Sequence, residues 1–328
     1  MKKTLVTGGW GFIGSHLTER LIQEGYEVAA LDNGATGKPS NLEALKDHPR
    51  FKMAEVDVRD SKTMEKYFEG VDTIFHLAAM ADIVPSIENP TLYYETNVLG
   101  TLRVMELARK YGVNKVLYAA SSSCYGIPDQ TPTPEFAPIR PQYPYAFTKY
   151  AGEATVLHWG QVYKMNVVSL RLFNVYGPRH RTTGTYGAVF GVFLAQKRAG
   201  RPLTVVGDGT QTRDFTHVTD VANAFVTAAR NDVRNEIFNV GSGNTYSVNY
   251  LAELLGGERV FIPKRPGEPE TTFADTAKIQ KVLGWKPRVK FEDGVRAMLE
   301  HIELWAEAPV WTKEAIQKAT ESWFHYLK

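Results

Sequence analysis

Thr7-Gly8-Gly9-Trp10-Gly11-Phe12-Ile13-Gly14 is the stretch from which the rest of the chain can be read. The apolar run Thr4-Leu5-Val6 before it suits a β-strand, and Ile13, Leu17, Leu21 and Ile22 after it recur with helical spacing. Strand, glycine loop and helix in that order make a dinucleotide phosphate site, because glycines let the backbone approach a pyrophosphate that rests on the helix N-terminus. Gly8, Gly11, Phe12, Ile13 and Gly14 are thus candidate cofactor-binding residues. Glycines also make ordinary turns, so the following stretch matters. Tyr26-Glu27-Val28-Ala29-Ala30-Leu31 reads as a second strand ending in Asp32, eighteen residues after Gly14. A carboxylate there accepts hydrogen bonds from both ribose hydroxyls and repels a 2′-phosphate, which favours NAD over NADP.

The 328 residues suffice for one large α/β domain with a smaller appendage, or for two domains. A formal charge of +2, with acids and bases interspersed, leaves no electrostatic footprint for nucleic acid or an anionic membrane. The single Cys124 excludes an internal disulfide framework and fits a reducing compartment. After Lys2 and Lys3 the apolar run meets Gly8 too soon for a signal peptide, and no apolar run is long enough to span a membrane. A soluble, cytoplasmic protein is expected.

Strand-like and helix-like stretches alternate up to about residue 120. Phe51 to Val58, Asp72 to Leu77 and Lys115 to Ser121 read as strands; Ser61 to Phe68 and Pro90 to Lys110 read as helices. Such alternation predicts a doubly wound parallel sheet of the Rossmann type, with right-handed crossovers. Asp57 and His76-Leu77-Ala78-Ala79 then fall at strand ends, where open α/β sheets bind ligands. Six prolines between Ile127 and Pro144 mark a surface loop bordering a site. A helix from Tyr145 toward Tyr163 and a strand from Asn166 to Phe173 follow. Residues 1–174 are expected to form the cofactor-binding domain. Residues 175–328 form a smaller mixed α/β lobe for substrate, with some segments returning to the main sheet. Within that lobe Ser247 suits a helix N-cap, and Ile316, Ala319, Trp323 and Phe324 predict an amphipathic helix over Thr312 to Lys328 that docks on the protein's own core.

Two motifs carry reactive groups: Ser121-Ser122-Ser123-Cys124-Tyr125-Gly126 at a strand end, and Tyr145-Ala146-Phe147-Thr148-Lys149 opening a helix. The i, i+4 spacing puts Tyr145 and Lys149 on one helix face. An ammonium beside a phenol favours the phenolate, which would make Tyr145 a base able to take an alcohol proton during oxidation at a nicotinamide. A second pair with this spacing, Tyr111 and Lys115, straddles Gly112 at a helix end and is read as coincidental. Cys124 is read as a packed thiol, since no His neighbours it in sequence. The eight His show no metal-ligand spacing, so no metal is expected.

These motifs occur in a familiar order: Thr7-Gly8-x-x-Gly11-x-x-Gly14, Asp32-Asn33, Asp57-Val58, Leu77-Ala78-Ala79, Asn97, the serine run, Tyr145-x-x-x-Lys149 and Arg171-x-Phe173-Asn174-x-Tyr176-Gly177-Pro178. The chain resembles an extended short-chain dehydrogenase/reductase of the nucleotide-sugar epimerase/dehydratase family. The resemblance implies a tightly held NAD contacted by Gly8, Gly11, Gly14, Asp32, Asn33, Asp57, Val58, Leu77, Ala78, Ala79, Asn97 and Lys149. It implies that Tyr145 is the base, that Lys149 lowers its pKa and binds the nicotinamide ribose, and that Ser121 holds the sugar O4. Family dehydratases follow the Ser/Thr with an Asp-Glu pair, and the UDP-glucuronate decarboxylases keep that Glu. Here Ser122 and Ser123 stand there, on the substrate side, so 4-epimerisation is implied.

The resemblance also points to Asn174, Arg213 and Arg265 as sugar or diphosphate contacts. Thr272 matches a size gate whose small side chain would admit an N-acetyl group; a one-residue shift would bring Phe273 there and reverse that expectation. The expected activity is a UDP-hexose 4-epimerase acting on UDP-glucose, UDP-N-acetylglucosamine or both. The alternatives are another nucleotide sugar such as UDP-glucuronate, or a non-catalytic NAD-binding scaffold. A homodimer through helices Pro90 to Lys110 and Tyr145 to Tyr163 is implied by resemblance.

Overall fold

A computed structural model describes residues 2–180 and 187–327. Its centre is a sheet of seven strands: β1 (Lys3–Thr7), β2 (Glu27–Asp32), β3 (Phe51–Glu55), β4 (Thr73–His76), β5 (Lys115–Ser121), β6 (Val167–Leu172) and β7 (Glu236–Val240). Their order is β7-β6-β5-β4-β1-β2-β3, and every pairing is parallel. Strands covered by helices on both faces should be apolar throughout rather than alternating, and β4 and β6 are buried at every residue. The strand order reverses between β1 and β4, which opens a crevice at their carboxyl ends. Leu77 crosses it by donating its backbone N–H to the Thr7 carbonyl at 3.1 Å.

The glycine loop fits this crevice because it has no side chains. At Gly8, with φ +70°, a Cβ would lie 2.7 Å from the backbone nitrogen of Ala78, and at Gly14 it would lie 2.0 Å from the Gly8 carbonyl oxygen. Helix Phe12–Gln23 therefore starts directly under the loop and buries Leu17, Leu21 and Ile22 against the sheet.

Three elements depart from the sequence expectation, two of them beside side chain to backbone bonds. The strand predicted for Phe51 to Val58 ends at Glu55, since Asp57 forms a turn, accepting the Arg59 backbone N–H at 2.8 Å. The helix predicted for Ser61 to Phe68 ends at Glu65. The helix from Pro90 to Lys110 contains a π-helical segment, Glu95–Gly100. That wider turn contains Asn97, whose side chain accepts from the Met80 N–H at 2.7 Å and donates to the Met80 carbonyl at 3.0 Å. A π-segment at such a point is a common mark of function.

Beyond β6 the chain passes repeatedly between the sheet and a second cluster. Helix Val218–Arg230 packs on helix Phe12–Gln23, and β7 extends the sheet. The second cluster gathers helices Val189–Arg198, Val248–Leu255 and Phe291–Glu300 around Phe190, Phe193, Phe215, Leu251 and Phe291. Ser247 caps the second of these helices, accepting from the Tyr250 N–H at 3.0 Å. Two of the small sheets border it. Leu203–Val206 pairs with Arg259–Ile262, and Thr212–Arg213 lies between Tyr246–Ser247 and Thr271–Thr272.

The tail forms two short helices, Lys313–Ala319 and Glu321–Tyr326, instead of one. Thr320 sits at the break, its hydroxyl bonded to the Ile316 carbonyl at 2.8 Å. Ile316 and Trp323 are both buried: the first joins the second cluster, and the second donates its indole N–H to the Pro266 carbonyl at 2.8 Å. Lys328 lies outside the described residues.

Candidate active site

A continuous cleft runs across the carboxyl ends of the strands as two cavities with shared walls. One, of about 340 Å³, is lined by Gly8, Gly11, Phe12, Ile13, Gly14, Asp32, Asn33, Val58, Leu77, Ala78 and Ala79. Asp32 accepts backbone N–H groups of Trp10 at 3.1 Å and Gly34 at 2.9 Å, so it clamps the glycine loop as well as facing the cavity. Burial pushes its carboxyl pKa up, and those N–H bonds pull it back. Asp57 and Asn97 stand behind the wall. Arg59 pairs with Asp57 Oδ2 at 2.7 Å and holds its pKa at about 2, while Asn33 donates its side-chain N–H to the same oxygen at 3.0 Å. Asn97 fixes the Met80 backbone that borders the cavity.

The second cavity, of about 540 Å³, is lined by Ser121, Ser122, Ser123, Tyr145, Lys149, Asn174, Arg213, Arg265 and Thr272. Residues far apart in the chain thus meet on one surface. Ser121 ends β5 and its hydroxyl lies 2.8 Å from that of Ser123, capping a short turn over Ser122–Tyr125. Pro144, with φ pre-set for a helix, opens helix Pro144–Tyr163 and puts Tyr145 in its first turn. Ser121 acts on the Tyr145 phenol, pulling its pKa down.

Spacing predicts that Lys149 lowers the Tyr145 pKa. In the protein alone burial dominates and raises it; the Ser121 hydrogen bond opposes this, and Asp82 adds to it. The Lys149 ammonium lies 4.3 Å from the centre of the Tyr118 ring, and burial pulls its own pKa to about 7 against the attraction of Glu153. Glu153, one turn further along the helix, forms a buried bidentate pair with Arg171 of β6, with contacts of 2.7 to 3.1 Å. Ser169, Tyr125 and the Glu135 carbonyl complete that network. It fixes the reactive helix to the strand ends.

Elsewhere on the lining Arg213 and Arg265 share one carboxylate, Glu268, at 3.6 and 3.0 Å. Thr272 donates its hydroxyl to the Asn174 side-chain oxygen at 2.6 Å. Among the described residues Phe273 does not line the cavity; its carbonyl accepts the Thr133 N–H at 2.7 Å. The other Tyr-x-x-x-Lys pair is split as expected. Tyr111 bonds Glu65, and Lys115 is buried against the carbonyls of Ala228 and Asn231. Cys124 is buried, and burial pushes its thiol up to about 12, which suits a packed residue.

Three wall residues carried no signal in the sequence. Glu268 is paired only by tertiary folding, and Trp323 arrives from the tail, its ring 5.3 Å from the Arg265 guanidinium. Asp82 lines both cavities with φ 80° and ψ 143°, a conformation that costs a non-glycine residue about 1–3 kcal/mol.

A parallel sheet with a dinucleotide crevice, joined to a second cavity at a Ser-Tyr-Lys constellation, defines a Rossmann-type enzyme of the short-chain dehydrogenase/reductase kind. The model of the NAD dependent epimerase/dehydratase family matches residues 4–241, and the chain belongs to that family. NAD is its cofactor, and the glycine cradle and the Asp32 carboxylate fit one. The chain is 37% identical over 303 residues to a putative UDP-glucose 4-epimerase of Methanocaldococcus jannaschii, covering 90% of this chain and 96% of that protein. The UDP-glucose 4-epimerase of Thermotoga maritima, solved with UDP-glucose, superposes with a TM-score of 0.86 at 34% identity, covering 92% of this chain and 98% of that one. The UDP-glucuronic acid 4-epimerase of Bacillus cereus, solved with UDP-glucuronic acid and NAD, gives 0.84 at 30% identity, covering 92% and 99%. Among the described residues no helix is long and apolar enough to cross a membrane.

Proposed function

We propose that the protein is an NAD-dependent nucleotide-sugar 4-epimerase acting on UDP-hexoses, UDP-N-acetylhexosamines or both. The observation that carries this reading is the meeting of Ser121, Tyr145 and Lys149 where the cofactor cavity opens into the second one. Tyr145 takes the proton of the sugar C4 hydroxyl and later returns it. Ser121 holds O4 in line through both steps, and Lys149 supplies positive charge beneath the phenol and binds the nicotinamide ribose. NAD, when bound, supplies the reversible oxidation of C4. The resulting 4-keto sugar turns over inside the cleft and is reduced on its other face, inverting C4.

Arg213, Arg265 and Asn174 bind the diphosphate and sugar, Ser122 and Ser123 line the sugar end, and Thr272 leaves room for an acetamido group. Serines in place of an Asp-Glu pair lack the acid and base that water elimination needs. The helices Pro90–Tyr94 and Pro144–Tyr163 carry exposed Tyr94, Phe147, Val162 and Tyr163, which supports a homodimer through this face. The single buried cysteine suits a reducing, cytoplasmic setting.

The test is incubation of the purified protein with UDP-glucose, UDP-N-acetylglucosamine and UDP-glucuronate, without added NAD, followed through the anomeric protons by NMR. Inversion at C4 is expected, with a loss of about 10²- to 10⁴-fold in Tyr145→Phe. Full activity in that variant, or no conversion of any sugar even with NAD supplied, overturns the reading.

A further inference from the structure

Helix Glu321–Tyr326, near the end of the chain, reaches the wall of the second cavity through one side chain, Trp323. Ile316 anchors the preceding helix in the second cluster, and the chain breaks at Thr320 before it meets the cleft. There the helix packs on helix Ile83–Glu88, with the Ser322 hydroxyl 3.2 Å from a Glu88 carboxylate oxygen. Trp323 is buried, and it grips one short stretch of chain twice. Its ring lies 5.3 Å from the Arg265 guanidinium, within cation–π range. Its indole N–H donates to the carbonyl of Pro266, the next residue, at 2.8 Å.

The two arginines of the cavity differ in what carries them. Arg213 belongs to a strand, and its guanidinium donates to the Thr212 carbonyl at 2.9 Å and the Glu270 carbonyl at 3.3 Å. Arg265 lies between Ile262 and Thr271, where the chain forms neither helix nor strand. A long side chain on such a loop has to be ordered before it can bind, and that entropy weakens binding unless the free protein already holds it. A ring against the guanidinium does so and leaves the in-plane N–H groups directed at oxygen acceptors. Glu268 takes one of them at 3.0 Å.

We propose that Trp323 is a positioning residue that holds Arg265 ready for the phosphate oxygens of the substrate, so that the tail of the chain completes the binding cleft. The proposal rests on the reading of Arg265 as a diphosphate contact. A tryptophan that only packed the tail would serve the fold equally well with or without Arg265. One that acts through the guanidinium loses its effect on binding when the guanidinium is removed.

The test is a double-mutant cycle on NAD-loaded protein, with binding of UDP and of inorganic pyrophosphate measured by calorimetry. Trp323→Leu is expected to weaken binding about tenfold in the wild-type background and less than about twofold in the Arg265→Ala background. Trp323→Phe keeps a ring beside the guanidinium but lacks the N–H. It is expected to lose about threefold, again only where Arg265 is present, so it reports even if Trp323→Leu folds poorly. Losses of equal size with and without Arg265, no loss in either variant, or wild type that binds neither probe overturns the proposal. Neither probe needs turnover, which separates this from the parent reading. A loss confined to proteins with Arg265, in a chain that inverts no sugar, keeps the role of Trp323 and discards the epimerase. Inversion of UDP-glucose with equal losses does the opposite.

Discussion

Two arginine-carboxylate groups in this molecule look alike and are built for opposite ends. Arg171 and Glu153 are 3% and 1% exposed, and their side chains find donors or acceptors in Ser169, Tyr125 and the Glu135 carbonyl. Arg213 and Glu268 are 13% and 21% exposed on a cleft wall, with the pair stretched to 3.6 Å and the acid shared with Arg265. A buried pair with satisfied partners can only be broken at great cost. A half-buried pair, loosely spaced and with one acid for two cations, can exchange its carboxylate for a ligand's phosphate oxygens. The first fixes geometry, and the second is where the proposed function would seat a diphosphate.

Four measurements would break or sharpen that contrast. Glu153→Ala leaves Arg171 charged and unpaired in the core, so urea unfolding should show a loss of about 3–5 kcal/mol; a loss below about 1 kcal/mol would remove the distinction. Arg213→Ala should raise KM for a UDP-sugar by about 10- to 100-fold, the worth of a charged hydrogen bond, while the urea midpoint moves little. An unchanged KM would return Arg213 to the role of a surface charge.

Lys149, one helical turn before Glu153, also lines the second cavity, and its folded pKa of about 7 is below the unfolded value of about 10.4. The unfolded chain therefore binds more protons between those values, and stability of NAD-stripped protein should rise with pH across that window, by at most about 1.4 kcal/mol per pH unit from this residue. The slope should fall in Lys149→Met; equal slopes in both proteins would count against the burial effect. Smallest is Glu268→Gln, which removes the internal competitor of the diphosphate and should lower KM about threefold. A rise in KM would instead assign the acid to holding the arginines in place.

What the sequence displays and what it hides follow from the range of the forces involved. The glycine loop, Asp32 at its strand end and Tyr145 with Lys149 on one helix face are set by local geometry, which spacing encodes directly. The direction of the Tyr145 shift was not legible, because burial among neighbours that include Tyr93 and Tyr143 raises it, and the Lys149 ammonium lies over the Tyr118 ring instead. The π-segment around Asn97 depends on Met80, and the break at Thr320 depends on where Ile316 and Trp323 dock. Glu268 became part of the wall only when residues 213, 265 and 268 were folded together.

The repeated passage of the chain between its two clusters has a kinetic meaning. Phe225, Phe238 and Leu283 belong to the sheet core, whereas Phe215, Leu251 and Phe291 belong to the other, so successive segments alternate between them. Opening about a single pivot would have to bend every one of those crossings at once, unlike a hinge of one or two strands. On the proposed mechanism, a ketone formed between clusters that resist parting would partition toward re-reduction rather than escape.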